Sequence, residues 1–309
     1  MSIEASSRNR VAGGLYAGGA YLLWGVLPLY FLLLLPTGPW EVVAARVLFS
    51  LVFCVLLLTV AGGWRRIMAI IRQPRLLGWT ALAGVLIYVN WQVFVIGTLS
   101  GHVVETALGY FINPITTVLL GVFVLHERIR WLQWVAIGIA VAAVVVIIIG
   151  YGSFPWIALL LTASFGTYGL VKKKIGPAVD AVSGLTLESF WLIPIALVQL
   201  IIVAQTSGIT FGTVSTSHTI LMLFAGVATA VPLLLFAAGA RRINLTVIGM
   251  IQFMTPIMQF LTGVFILHEP MPPERWVGFI IVWIAVAVFM IDLVLAARRH
   301  RRTRVVPPV

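Results

Sequence analysis

The segment GVFVLHE at residues 121–127 recurs as GVFILHE at residues 263–269, with six of the seven positions identical. The shift between the two segments is 142 residues, and the same shift places Pro114 on Pro256. A match of this quality exceeds what the biased composition of the chain would produce by chance. The sequence therefore predicts an internal repeat, in which two halves of the chain fold alike.

The composition excludes a water-soluble globular domain. Of 309 residues, 61% are hydrophobic and only 9% are charged, and the mean hydropathy is +1.10, whereas ordinary soluble domains are about a quarter charged. The single cysteine, Cys54, excludes a disulfide framework. The net charge of +11 does not predict a nucleic-acid partner, because the chain has almost no polar surface that could carry a basic patch. The expected surroundings are a lipid bilayer.

Ten apolar stretches follow one another along the chain. Their continuous content of Leu, Val, Ile, Ala and Phe predicts transmembrane helices rather than the alternating strands of a barrel. Five fall in residues 1–150 and five in residues 151–309, so each half is predicted to be one repeat. The stretches are 12–35, 40–61, 76–98, 102–124, 131–150, 154–171, 182–204, 218–239, 246–266 and 275–296.

The positions of Lys and Arg predict the orientation in the membrane, because cytoplasmic loops are enriched in these residues. With the N-terminus in the cytoplasm, 18 of the 20 basic residues lie on the cytoplasmic side. The exceptions are Arg46, inside a stretch, and Arg275, in an outer loop. Both termini are then cytoplasmic, and the second repeat ends in a basic tail. Because five is odd, the second repeat enters the membrane upside down relative to the first.

Inverted repeats of membrane helices are typical of secondary transporters, whose binding site at the repeat interface opens alternately to the two sides. No phosphate-binding glycine loop is present, so transport driven by ATP is not expected of this chain alone. A channel or facilitative pore remains the alternative, since pores also use kinked helices. A membrane enzyme is a weaker alternative, because no nucleophile, acid pair or metal-ligand set is clustered in the sequence. No cofactor is expected.

Four segments support a resemblance to a known family: LLWGVLPLYF at 22–31, ETALGYFINP at 105–114, SFGTYGLVKKKI at 164–175 and VPLLLFAAGAR at 231–241. They resemble the RarD branch of the EamA-type permeases, within the drug/metabolite transporter superfamily, and the resemblance covers about residues 12–296. It implies ten helices in two inverted five-helix halves. It also implies a bacterial inner-membrane location and the transport of small organic metabolites or drugs.

Two prolines lie at the centres of repeat-equivalent stretches, in Asn113-Pro114 and Thr255-Pro256. A proline inside a helix lacks an amide proton and leaves the carbonyl four residues earlier without its donor. In lipid such a carbonyl needs another partner or a wet cavity. The sequence therefore predicts that both helices break at the membrane centre and form a substrate site. The alternative is that the prolines only kink their helices and that neighbouring helices supply hydrogen-bond partners for the free carbonyl groups. The predicted site residues here are Tyr110, Asn113, Gln252 and Thr255.

Three further residues are predicted to line the same site. Pro28 lies inside the first stretch, where it likewise leaves the carbonyl four residues earlier, that of Trp24, without a donor. Asn90 and Trp91 lie at similar depth in the third stretch. Aromatic walls with a few amides suit a flat, weakly polar organic substrate. Core filling is the alternative for either tryptophan.

Three ionisable residues lie inside stretches, where a charge is costly and usually has a partner or water. Arg46 and Glu105 are at similar depth near the outer side, so we expect them to pair at an outer gate. Glu188 lies nearer the inner side and is expected to be unpaired, so that it could bind a coupling proton or a cationic group. The alternative for all three is a structural role.

The repeated His-Glu pair, His126-Glu127 and His268-Glu269, could suggest a metal site. The two pairs are expected on opposite sides of the membrane, and each lacks a third ligand. A role in loop structure is favoured. In particular, we expect Glu127 to cap the next helix or to meet a nearby arginine.

Overall fold

The computed structural model describes residues 3–126, 129–151, 154–240, 242–243 and 245–303. All regular secondary structure in these ranges is helical, and a π-helical turn, Thr262–Ile266, follows the twelfth helix. The helices are α1 (Ile3–Leu32), α2 (Pro39–Val60), α3 (Trp64–Ile71), α4 (Pro74–Leu99), α5 (Val103–Leu125), α6 (Trp131–Tyr151), α7 (Trp156–Ile175), α8 (Ala181–Trp191), α9 (Ile193–Thr206), α10 (Thr216–Ala240), α11 (Leu245–Ile251), α12 (Met254–Leu261) and α13 (Pro273–Thr303).

Seven helices in the described ranges are long and apolar enough to cross a membrane: α1, α2, α4, α5, α6, α10 and α13. The pair α8 and α9 passes the same test together, with a bend of 47° between them. Two further apolar segments, Trp156–Lys172 and Met254–Ile266, are shorter. Each of the ten predicted stretches thus coincides with apolar helix. Seven of them, or eight with the bent pair, meet the length of a full span.

The helices pack in a pattern that stays the same when the two halves are exchanged. Helix α1 of the first half packs against α10 and α12 of the second half. Its equivalent in the second half, α7, packs against α4 and α5 of the first half. Likewise α2 packs against α10 as α8 packs against α4. Three contacts join equivalent helices to each other: α2 with α8 and α9, α5 with α12, and α6 with α13. The core of the molecule is therefore built between the halves rather than within each.

Local backbone conformation repeats along with the packing. The N-cap residues of α2 and α8, Gly38 and Asp180, lie 142 residues apart and have nearly identical dihedral angles, φ −73°, ψ 162° and φ −72°, ψ 164°. The two motif histidines are the described non-glycine residues with positive φ, 53° at His126 and 52° at His268. A left-handed residue commonly ends a helix. The repeated motif therefore marks the same sharp turn in both halves.

Two repeat-equivalent glycines allow helices to touch through their backbones. A Cβ atom at Gly84 would lie 3.0 Å from the Glu188 carbonyl oxygen on α8. At Gly226, a Cβ would come closer still to the backbone of Phe49 on α2. Small residues permit such close approach of membrane helices. These glycines thus set the distance between α4 and α8 and between α10 and α2.

Glu269 in the second motif caps a helix of the other half. Its carboxylate accepts hydrogen bonds from the backbone N–H groups of Val103, at 2.5 Å, and Val104, at 3.0 Å, at the start of α5. A carboxylate is favourable there because a helix N-terminus carries free N–H groups and partial positive charge. Burial raises the pKa of Glu269, while these two donors act in the opposite direction. Its counterpart Glu127, for which a capping role is predicted, lies outside the described residues.

Candidate functional site

A cavity of about 90 Å³ lies between the two halves. It is bounded by α1, α2, α4 and α5 of the first half, and by α7, α10 and the segment from α11 to α12 of the second. All seven residues predicted to line a substrate site contribute to its wall: Trp24, Asn90, Trp91, Tyr110, Asn113, Gln252 and Thr255. The wall also contains ten residues outside that prediction: Tyr21, Leu27, Arg46, Ile87, Phe94, Phe165, Thr229, Leu233, Pro256 and Gln259.

The two central prolines have different effects on the backbone. The prediction that α5 breaks at Pro114 is wrong: the helix continues from Val103 to Leu125, because the loss of one hydrogen bond does not end it. The equivalent region of the second half is interrupted at Gln252 and Phe253, between α11 and α12. Pro256 falls in the first turn of α12, where its missing N–H would have no intrahelical partner in any case.

Side chains of α12 satisfy carbonyl groups of α1. Pro28 lies within α1 and leaves the Trp24 carbonyl without its usual donor, and Gln259 Nε2 donates to that oxygen at 3.3 Å. One turn earlier on each helix, Thr255 Oγ1 donates to the Tyr21 carbonyl at 2.6 Å. These bonds hold α12 against α1 beside the cavity. Gln259 was missed by the sequence analysis, although it lies one helical turn beyond the predicted Thr255.

The amide of Asn90 joins three helices. Its Nδ2 donates to the Leu161 carbonyl of α7 at 3.2 Å, and its Oδ1 accepts from the Tyr110 hydroxyl of α5 at 3.1 Å. Asn90 therefore shapes the wall while both ends of its amide are already bonded. Asn113 differs, because its Oδ1 is buried and has no hydrogen-bond partner. The side-chain oxygen of Asn113 is thus an acceptor without a donor in the residues of the cavity wall.

Arg46 lies in the cavity wall, held between aromatic rings. Its Cζ is 4.7 Å from the centre of the Trp91 ring and 5.0 Å from that of Phe31, and its Nε donates to Thr229 Oγ1 at 3.1 Å. The side chain is 3% exposed. Aromatic faces attract a guanidinium group, most strongly when it is desolvated. The arginine is therefore held in place at the cavity, and no carboxylate in the described part of the chain forms an ion pair with it.

The predicted ion pair between Arg46 and Glu105 is not formed. The Glu105 carboxylate instead accepts a hydrogen bond at 3.0 Å from the backbone N–H of Ile157, in the first turn of α7. Free N–H groups at the start of a helix are good partners for a carboxylate. The sequence indicates only that the two residues lie at similar depth. Packing places Glu105 against α7 and Arg46 against α10.

The expectation that Glu188 is unpaired is also wrong. Lys172 Nζ lies 2.7 Å from Glu188 Oε1, and the Tyr168 hydroxyl donates to Oε2 at 3.1 Å. Tyr168 and Lys172 are four residues apart on α7 and so share one face of the helix. Glu188 is 1% exposed and lies outside the wall of the cavity. The 142-residue shift places Glu188 on Arg46, so equivalent positions of the two halves carry opposite charges.

The described side chains offer no evident place for a metal ion. No group of three or more His, Cys, Asp and Glu side chains comes together within the ranges that the structure describes. Cys54 is a buried free thiol. The chemistry available in the cavity is therefore that of aromatic faces, amides, hydroxyl groups and one guanidinium group.

The sequence is similar to those of known membrane transporters. The sequence model of the EamA-like transporter family matches residues 11–149 and again residues 154–291. Protein RarD of Streptomyces exfoliatus is 43% identical over 97% of this chain and 94% of its own length. The uncharacterized transporter YojE of Bacillus subtilis is 38% identical over 90% of this chain and 93% of its own length. One solved crystal structure shares the fold, with a TM-score of 0.58 at 15% identity, and covers 89% of this chain and 96% of its own.

The helices, the cavity between the halves and these matches define a multi-pass membrane transporter. The chain belongs to the EamA-like transporter family, and within that family it is a RarD-like permease.

Proposed function

We propose that this chain is a secondary transporter that moves small organic molecules across the bacterial inner membrane by alternating access. The cavity between the halves is the proposed substrate site. The observation that carries the proposal is that seven residues selected from two proline-centred helices and their neighbours line one cavity. A site formed by both halves can open to either side when one half moves against the other.

The proposed architecture has ten spans in two repeats, residues 1–150 and 151–309, with opposite orientations in the membrane. The bent pair of α8 and α9 and the two shorter apolar helices supply the three spans beyond the seven long ones. Both termini are then cytoplasmic, and the basic tail begins within the C-terminal part of α13. The distribution of Lys and Arg supports this orientation.

Reporter fusions test the orientation directly. A reporter fused after Arg75 is expected to give a cytoplasmic signal, because four arginines precede that point in the loop. A reporter fused after Ser207, in the loop after α9, is expected to give a periplasmic signal. Paired alkaline phosphatase and green fluorescent protein fusions at each site provide opposite readouts. An external signal at the first site, or a cytoplasmic one at the second, would contradict the ten-span arrangement.

Arg46, Glu105 and Glu188 are proposed to act in gating or coupling. Glu105 holds the start of α7, and the contact between Lys172 and Glu188 holds the same helix nearer its end. Two carboxylates thus clamp one helix of the cavity wall at both ends. Loss of the contact between Lys172 and Glu188 would release this end of α7, which is the route by which we propose that these residues act.

Removal of the unpartnered amide in the cavity tests the substrate site. The assay uses vesicles given a uniformly ¹³C-labelled metabolite extract. We expect Asn113→Ala to lower the affinity for the compounds that the wild type accumulates by about tenfold, because one hydrogen bond is lost. Mass spectrometry of the vesicle contents measures the uptake. Gln73→Ala, an amide in the exposed loop before α4, is the matched control at equal membrane abundance. An unchanged affinity in Asn113→Ala would count against the proposed site.

Counterflow separates the transporter from the alternative pore. Vesicles preloaded with an unlabelled compound should transiently concentrate its labelled form if a carrier exchanges the two. Simple equilibration without any overshoot would favour the pore.

A further inference from the structure

Among the described residues that line the cavity, one is charged, and it is a cation. Of the lining residues, Arg46 is charged, and the others are apolar, aromatic, amide or hydroxyl side chains. An arginine side chain stays protonated in proteins. Its Nη1 atom is buried and has no hydrogen-bond partner. The cavity therefore contains a positive charge with a hydrogen-bond donor that is still unused.

The acidic side chains that the structure describes do not neutralise this charge, and Arg46 forms no ion pair with any of them. Six of them have other partners within hydrogen-bonding distance. These are Glu41 with the N–H groups of Thr210 and Phe211, Glu105 with Ile157, Asp180 with Ser183, Glu188 with Lys172, Glu269 with Val103 and Val104, and Asp292 with Arg130.

A buried charge without a partner is costly in an apolar environment. The rings of Trp91 and Phe31 offset part of this cost, but their faces supply no acceptor for Nη1. A ligand that carries an anionic oxygen group would supply the acceptor and neutralise the charge at once. A cationic ligand would place two positive charges in one small apolar cavity and would be repelled.

We propose that the substrate is a small organic anion, whose carboxylate or phosphate group binds Arg46. This inference rests on the proposed transport function and adds the substrate class to it. Charge-assisted hydrogen bonds from arginine to such groups are among the strong ones in proteins. The aromatic wall, with Trp24, Phe94 and Phe165, provides apolar contact for the body of the molecule.

Two other wall residues offer hydrogen-bond acceptors, whereas Arg46 offers a donor, and they define the substrate class further. The side-chain oxygens of Asn113 and Gln259 are buried acceptors without a donor. A hydroxyl or amino group on the substrate would satisfy them. The preferred substrate is thus an organic acid that carries an N–H or O–H donor on an apolar or aromatic body.

Affinity selection on the purified full-length protein in lipid nanodiscs tests the charge preference without requiring transport. The probe is a uniformly ¹³C-labelled metabolite extract at pH 7, and mass spectrometry identifies the retained compounds. We expect these to be organic anions. In competition, 3-phenylpropionate should displace them at least tenfold better than its neutral amide, and phenethylammonium should not displace them.

Variants of Arg46 test whether this side chain causes the preference for anions. Arg46→Gln should weaken the retention of anions by about 10- to 100-fold, the effect of losing a charged hydrogen-bonding group, and should remove the difference between 3-phenylpropionate and its amide. Arg46→Lys keeps the charge and should keep the difference. If Arg46→Gln does not yield monodisperse protein, the wild-type competition series still decides the preference.

Retention of neutral and cationic compounds as readily as anions would overturn the anion proposal, and so would retention of no compound. A preference for anions that persists in Arg46→Gln would overturn the role of this residue. Failure of transport gives a different result. If anions bind with the expected preference but vesicles show no uptake and no counterflow, the proposed transport function fails and the anion site stands.

Discussion

Replacing Gly226 by valine is expected to destabilise the protein by about 3 kcal/mol or more, the upper range for overpacking a core. A Cβ atom at this position would overlap the backbone of Phe49 on α2. A side chain that is crowded by another side chain can change rotamer, but the backbone of a packed helix has no such freedom. The helices α10 and α2 would have to separate, and both contribute to the cavity wall.

The measurement is the thermal stability and monodisperse yield of the protein in detergent. Gly138→Val is the matched control, because a Cβ at Gly138, on the exposed face of α6, meets no atom within 4 Å. Both substitutions place the same β-branched residue within an apolar helix. Equal stability of the two variants would show that the contact between α10 and α2 is looser than described.

Removal of Lys172 is expected to have an effect on stability of similar size. In Lys172→Met, Glu188 would remain buried, at 1% exposure, without its cation. Leaving one partner of a buried ion pair uncompensated costs about 3–5 kcal/mol. The double variant Lys172→Met/Glu188→Leu removes both charges and should recover most of the loss. Lys174→Met is the control, because Lys174 is exposed, lies two residues further along α7 and contacts the ring of Trp79 rather than a carboxylate.

Unfolding of the wild type, Lys172→Met, Glu188→Leu and the double variant in denaturant gives the coupling energy between the two residues. A double variant no more stable than Lys172→Met would contradict the ion-pair account.

The same residues also test coupling, because Glu188→Gln keeps the shape of the side chain and removes its charge. If Glu188 carries a coupling proton, uptake by Glu188→Gln loses its pH dependence. An unchanged pH profile in a stable Glu188→Gln protein would leave the carboxylate with a structural role.

Symmetry accounts for most of what could be predicted about the site. The repeat placed Pro114 and Pro256 at equivalent positions, and the residues near these prolines line one cavity. Hydropathy and periodicity predict which segments are helical and roughly how deep each residue lies. They do not predict which helices are neighbours. The expected pair of Arg46 and Glu105 failed for this reason, since equal depth on two helices does not imply contact.

The sequence by itself determined the class of this protein: an apolar chain, an internal repeat and a transporter family are readable from local composition and from matches along the chain. Only the tertiary structure decided the partners of the buried charges. It placed Arg46 beside aromatic rings in the cavity, Glu188 on Lys172, and Glu269 on a helix of the other half. The physical reason is the distance along the chain between the residues that interact. Hydrophobicity and helix formation depend on residues close along the chain, whereas hydrogen bonds and ion pairs depend on a few ångströms between helices distant in sequence.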